Sequence, residues 1–329
     1  MRLTRTSVMR LSFGCLSVIV LLSGCVLGQQ PASTSSLPSS PAPPTASSPA
    51  PVSPPPIELK ADSSGAVPAE QIRALLERAE EKDLENDKSA RDYTYVERVE
   101  RHELGGDGAV KKTETRTSEV LQIYGEDVER LIAKDDKPLP AGEAKKEDEK
   151  IQKLIDRRNG ESEEARRKRL EKEEKNRAED CKFVLEVADA FNFRLVGSEM
   201  INGRDTWVFD AEPRSGYEPK HREAKMLAKV HGRIWIDKAE DEWVKLDITA
   251  IDTISFGLVL ARIHKGTHLI LEMTRVNDEI WLPKRVQLHV DARVALFKSY
   301  DDDVEQTYRD YKKFHASTKI TLAGEENRQ

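Results

Sequence analysis

Cysteine is scarce in this chain of 329 residues, which holds three, and two of them, Cys15 and Cys25, fall in its first 25 positions. So few cannot build a disulfide framework. Cys181 then reads as a small semi-buried hydrophobe or, alternatively, as a reactive thiol. Positive charge is not in excess either. Charged residues make up 34% of the chain, yet the net charge is −6, and it becomes −9 when the first 24 residues and their Arg2, Arg5 and Arg10 are set aside. That balance excludes the basic face a nucleic-acid binder needs. Catalytic signatures are missing as well: there is no G-x-S-x-G, no H-E-x-x-H and no glycine-rich phosphate loop. His231, His264 and His268 could meet across a hairpin around a metal, and Asp301, Asp302 and Asp303 could attract calcium. Scattered histidines on a wet sheet face and an acidic turn are the simpler accounts. The expectation is therefore a protein that is not an enzyme, with no cofactor and no metal.

No long membrane-spanning run is present; the longest apolar segment, Leu11 to Leu22, has the length of a secretory leader's core and follows three arginines. It ends in Leu22-Ser23-Gly24-Cys25. That tetrapeptide resembles a bacterial lipobox, which implies cleavage of residues 1–24 and acylation of Cys25, an anchor to the outer membrane facing the periplasm. Cleavage after Gly28, as in an ordinary secretory signal, is the alternative. Gln29 to Pro56 carries 10 of the 16 prolines and no charge. It cannot bury a core, and residues 25–65 read as a disordered tether. A single folded domain is expected over residues 66–323.

What is abundant after that is alternation. From Gly232 to Leu296, apolar residues recur at every second position: Ile234 and Ile236, then Val244, Leu246 and Ile248, then Leu269, Leu271 and Met273, then Val286, Leu288 and Val290. Side chains on a strand point alternately to two faces, so these are antiparallel strands with one apolar and one wet face. Upstream, Pro68 opens a helix with Ile72, Leu75, Leu76 and Ala79 on one stripe. Tyr93 to Tyr124 reads as a long hairpin, Val128 to Ala133 as a strand, Phe183 to Phe191 as a short amphipathic helix, and Asn202-Gly203 as a hairpin turn. Arg222 to Lys229 reads as helical, and the last strand carries Tyr308, Tyr311 and Phe314. Residues 143–180 are almost wholly charged and predict solvated helices split at Gly160, or alternatively a docking surface for a protein partner. Phe256, Leu258, Val259 and Leu260 form a dense patch, either a strand buried on both faces or an oily rim that touches lipid.

Gly232-Arg233-Ile234-Trp235-Ile236-Asp237, Glu279-Ile280-Trp281-Leu282-Pro283-Lys284 and Tyr308-Arg309-Asp310-Tyr311, in that order, resemble strings of the LolA/LolB superfamily of outer-membrane lipoprotein-sorting proteins. The resemblance runs from about Gln71 to Phe314. It implies an α+β fold, a curved antiparallel incomplete β-barrel capped by helices, whose apolar face receives lipid or lipoprotein acyl chains. The arginine and protruding loop leucine of the best-known members have no matching motif here and are not carried over. Trp207, Phe209, Ile234, Ile236, Leu246, Ile248, Leu269, Leu271, Met273, Val286 and Leu288 are the candidates for that face, with plain core packing as the alternative for each. A lipid-anchored carrier in lipoprotein sorting or transport is the expectation. An envelope stress sensor that binds a protein partner is the second, and an envelope protein whose apolar face is filled by its own side chains the third.

Overall fold

The computed structural model describes residue 57 and residues 59–124, 126–220, 223–256, 261–294 and 298–314. The leader, Cys25, most of the tether, and Leu258, Val259 and Leu260 lie outside the described residues, as do the side chains of Phe256 and Cys181.

Helix α1 (Ala69–Ala90) starts right after Pro68 and buries Ile72, Leu75, Leu76 and Ala79 along one stripe. Strands β1 (Tyr93–Leu104) and β2 (Val110–Ile123) form the expected long hairpin, followed by β3 (Glu126–Lys134) and the two-residue β4 (Lys137–Pro138). The β3–β4 turn needs no glycine: Asp135 and Asp136 both take positive φ, 49° and 55°, a conformation short acidic side chains tolerate. The charged tract becomes α2 (Ala141–Asn159) and α3 (Glu163–Ala190), broken at Gly160 as expected, with Ser162 capping the second helix at 3.2 Å. Then come β5 (Phe191–Ile201), β6 (Arg204–Pro213), a 3-10 helix (Glu223–Lys229), β7 (Val230–Asp237), β8 (Trp243–Ala250), β9 (Ile254–Phe256), β10 (Ala261–Ile263), β11 (His268–Val276), β12 (Ile280–Val294) and β13 (Lys298–Lys313). No described helix is long and apolar enough to cross a membrane.

All strands join one antiparallel sheet in the order β4-β3-β2-β1-β13-β12-β11-β8-β7-β6-β5, with β10 and β9 branching from β12. The first and last long strands thus lie side by side, and the sheet stays open at β4 and β5. Residues opposed across strands share a face, so the register sorts the side chains. One row on the inner face reads Phe209, Ile234, Leu246, Leu271 and Val286; a second reads Ile248, Leu269 and Leu288. The α1 stripe packs into the same cluster, together with Ala188 and Ala190 from the end of α3.

The outer face is wet. Arg194, Asp210, Arg233 and Asp247 stand opposed in sequence across β5 to β8, Arg194 bonds to Asp210, and Arg233 reaches Asp210 at 2.7 Å. Each suggested metal-binding histidine has a carboxylate of its own: His264 with Asp291 at 2.8 Å, His268 with Asp247 at 2.7 Å, and His231 with Glu212 at 3.4 Å.

Three expectations are corrected. Asp301, Asp302 and Asp303 are not an acidic turn: they lie within β13, where Asp302 is buried and accepts from Arg101 at 2.7 Å. Phe191 does not end a short helix: α3 runs unbroken from Glu163, and Phe191 is the first residue of β5, where an aromatic pair, Phe191 and Phe193, faces the core. The charged tract is also not wholly solvated. Ile151 of α2 is fully buried against Leu121 and Ile123 on the outer face, with Val128, Leu154 and Ile155 around it. Ile151, with Leu154 and Ile155 beside it, docks a helix that otherwise reads as a solvent-facing rod.

Since α1 closes the inner face, Leu76→Ala should cost about 2–5 kcal/mol in urea unfolding, as for other buried leucines. Leu170→Ala on α3, where the side chain is 43% exposed, should change stability by less than about 0.5 kcal/mol.

Candidate functional site

All eleven candidates meet in one cluster. Phe209, Ile234, Ile236, Leu246, Leu269, Leu271, Met273 and Val286 are buried, while Trp207, Ile248 and Leu288 pack against them half-exposed. Beneath the end of α3, a cavity of about 60 Å³ is lined mainly by apolar side chains, among them Val187, Phe191, Phe193, Leu227, Ile234 and Leu246, with His231 also at its wall. Drug-sized ligand sites hold about 300–1,000 Å³. Among the described residues, then, the apolar face is covered by its own side chains, by α1, by the end of α3 and by the 3-10 helix, and this cavity is well below that size. Phe191, Phe193, Val187 and Leu227 were missed as wall residues. The alternation of Phe191 and Phe193 was visible in the sequence, but a neighbouring strand's membership of this wall is set by the β5–β6 register.

The three strings meet this face in different ways. Asp237 accepts Arg204 at 2.7 and 2.8 Å and the backbone N–H groups of Ala239 and Glu240. Glu240 in turn accepts the Trp281 indole at 2.8 Å and pairs with Arg275 and Arg204. Arg204 lies 5.6 Å from the centre of the Trp281 ring. The first and second strings therefore join in a charged clamp that ties the β7–β8 turn to β12, and the Asp237 hydrogen bond holds the Arg204 guanidinium above its ordinary range.

The third string works through a bulge. Tyr308 and Tyr311 are three residues apart, which on a regular strand sends them to opposite faces. Asp310 takes φ 56°, the pairing with β1 slips between Val96 and Thr94, and both rings come against Tyr95, at 5.8 and 5.3 Å. Next to them Glu97, opposite Tyr308 in register, is only 9% exposed. Burial, reinforced by Glu129 and Asp127, pushes its carboxyl up to about 7. The Tyr308 hydroxyl is buried without a well-formed hydrogen bond among the described residues. The apolar face thus ends, on the β1 side, in a tyrosine-framed acidic pole. A second desolvated carboxyl, Glu242, is pushed up to about 8 under α1, where Asn86 donates to it. Among the described residues, no three His, Cys, Asp or Glu side chains are placed to hold a metal.

No protein-family model matches the chain, and no curated protein matches it in sequence. Among solved structures it is similar to a domain from Vibrio parahaemolyticus described as an outer membrane lipoprotein-sorting protein domain, at 13% identity and a TM-score of 0.28, covering 74% of this chain and 95% of that one. It is similar to a LolA superfamily protein from Nitrosomonas europaea at 10% identity and a TM-score of 0.27, covering 74% and 93%. It is also similar to MucB, solved in complex with MucA, at 11% identity and a TM-score of 0.19, covering 70% and 94%.

The Glu97 carboxyl sets a pH dependence. Its ordinary value is 4.5 and its folded value about 7. Between those two the folded chain keeps a proton the unfolded chain has released, so stability falls as pH rises through that window and levels off above it. Glu97→Gln should raise stability at pH 8 by about 2 kcal/mol, change little near pH 4.5, and flatten the decline between those two pH values in urea titrations at stepped pH.

Proposed function

We propose that this chain is a lipid-anchored, non-enzymatic protein of the bacterial envelope whose inner sheet face receives the acyl chains of a lipid or lipoprotein. One observation carries the reading: two register rows of apolar side chains lie beneath a few helices, above an apolar cavity already begun at Ile234 and Leu246. Covering such a face with hydrocarbon is worth about 25 cal/mol per Å² of apolar area removed from water. The helices supply that cover in the empty chain, so a ligand competes with α1 and the end of α3 for the same surface. Residues 1–24 serve as the leader, Cys25 as the acylated anchor, and residues 25–65 as the tether that sets the module's reach to a donor or acceptor on the outer membrane or in the periplasm. Lipoprotein sorting or transport is the process this suits.

Native mass spectrometry tests the proposal on a chain expressed from residue 26 in the bacterial envelope and purified without detergent. Lipid or acylated peptide should co-purify. It should be lost in the Ile248→Gln and Leu288→Gln variants, both at half-exposed positions, with circular dichroism unchanged. An apo mass with no uptake of a fluorescent fatty-acid probe would leave an inner face that serves only as core. A co-purifying protein in place of lipid would move the function to a partner-binding regulator.

A further inference from the structure

A trough of about 560 Å³ lies on the other side of the sheet, between α2 and β3. Its floor is apolar: Val128, Ile151 and Leu154. Its rim is cationic, with Lys146, Lys150, Lys153 and Arg157 against the single carboxylate of Glu149. These four cations recur at the three- and four-residue steps that place side chains on one helical stripe. Like charges at that spacing weaken a helix by a few tenths of a kcal/mol per pair, so the stripe does not serve α2 itself.

The neighbouring cations are matched differently. Arg130 pairs with Asp148 at 2.8 Å and with Glu119 at 3.2 Å, and Lys134 with Glu143 at 2.6 Å. On the stripe, Lys150 reaches Glu147 at 3.1 Å and stands near the Glu129 carboxyl, which burial pushes up. Lys146 acts on Glu143 only from a distance. Lys146, Lys153 and Arg157 have no carboxylate within 4 Å among the described residues. Three cations without a carboxylate within 4 Å among the described residues therefore stand over an apolar floor.

We infer that this trough is a docking site for the headgroup of an anionic phospholipid at a membrane surface, with phosphate on the rim cations and the glycerol and first methylenes on Val128 and Leu154. Charge complementarity selects an anion, and the apolar floor selects an amphiphile over a free ion. Size selects a lipid over a protein: the volume suits one small ligand, whereas a stable protein interface buries about 1,200–2,000 Å². The site lies on the face opposite the acyl-chain cluster and does not depend on it. It would lay the module's outer face on an anionic leaflet while the inner face stays clear.

The test is co-sedimentation of the chain expressed from residue 26, so that neither leader nor Cys25 contributes, with vesicles of phosphatidylcholine alone or mixed with phosphatidylglycerol. Binding should require phosphatidylglycerol and weaken as salt is raised. Each of Lys146→Gln, Lys153→Gln and Arg157→Gln should weaken it about fivefold, and the triple variant by about two orders of magnitude. Leu154→Gln should weaken it with the charge intact, which diffuse attraction to a charged surface would not show. Equal binding to both vesicle types, no binding to either, or a triple variant that binds like the parent overturns the inference. So does an acidic peptide that occupies the stripe while vesicles do not. Uptake of a fatty-acid probe by the triple variant should match the parent, so failure here is separable from failure of the acyl-carrier reading.

Discussion

The structure depends on one constraint: a broad antiparallel sheet with a single apolar face cannot leave that face in water. Every larger feature follows from meeting it. The register aligns Phe209, Ile234, Leu246, Leu271 and Val286 in one band, and α1 and the end of α3 supply the cover. Helix α1 carries its apolar stripe of Ile72, Leu75, Leu76 and Ala79 for this purpose. The sheet can stay open because β4 is two residues long and α2 docks near that edge, which limits the exposed template for another strand.

Cover by helices differs from cover by a second sheet in how it can be undone. Separating two sheets breaks a whole interdigitated layer, whereas one helix can shift as a rod while the strand ladder stays intact. The contacts that hold α1 in place are partly electrostatic, with Arg78 paired to Asp241, Arg73 to Asp189, and Asn86 donating to the desolvated Glu242. Desolvated carboxyls weaken the folded state at neutral pH. Glu242 lies under α1 and Glu97 at the tyrosine pole, so neutral pH loosens the fold at the cover of the apolar face and at its β1 end.

Charges divide the labour by face. On the outer side, cross-strand pairs such as Arg233 with Asp210 and His268 with Asp247 are half-exposed and contribute little stability each. They do disfavour the slipped register that would turn the apolar band outward. The clamp of Arg204, Asp237 and Glu240 is of another kind. Asp237 is almost fully buried, so it must be matched, and matching it pins a turn to a distant strand.

Alternation along the chain was enough to determine most of the strands, the sidedness of the sheet and the eleven candidates' shared cluster, because a period of two leaves little choice about which side chains share a face, and the three- and four-residue steps of Ile72, Leu75, Leu76 and Ala79 did the same for the helix over it. The Asn202-Gly203 turn and the break at Gly160 were legible for the same local reason: backbone conformation there is set by the residues themselves. Tertiary structure alone decided the rest. That β1 pairs with β13, that a bulge at Asp310 turns Tyr308 and Tyr311 to one side, that Phe191 and Phe193 complete the cavity wall, and that Ile151 docks a charged helix on the outer face are all settled by contacts between residues far apart in sequence. Their energy is realised only when the whole sheet is formed, so no local pattern carries them.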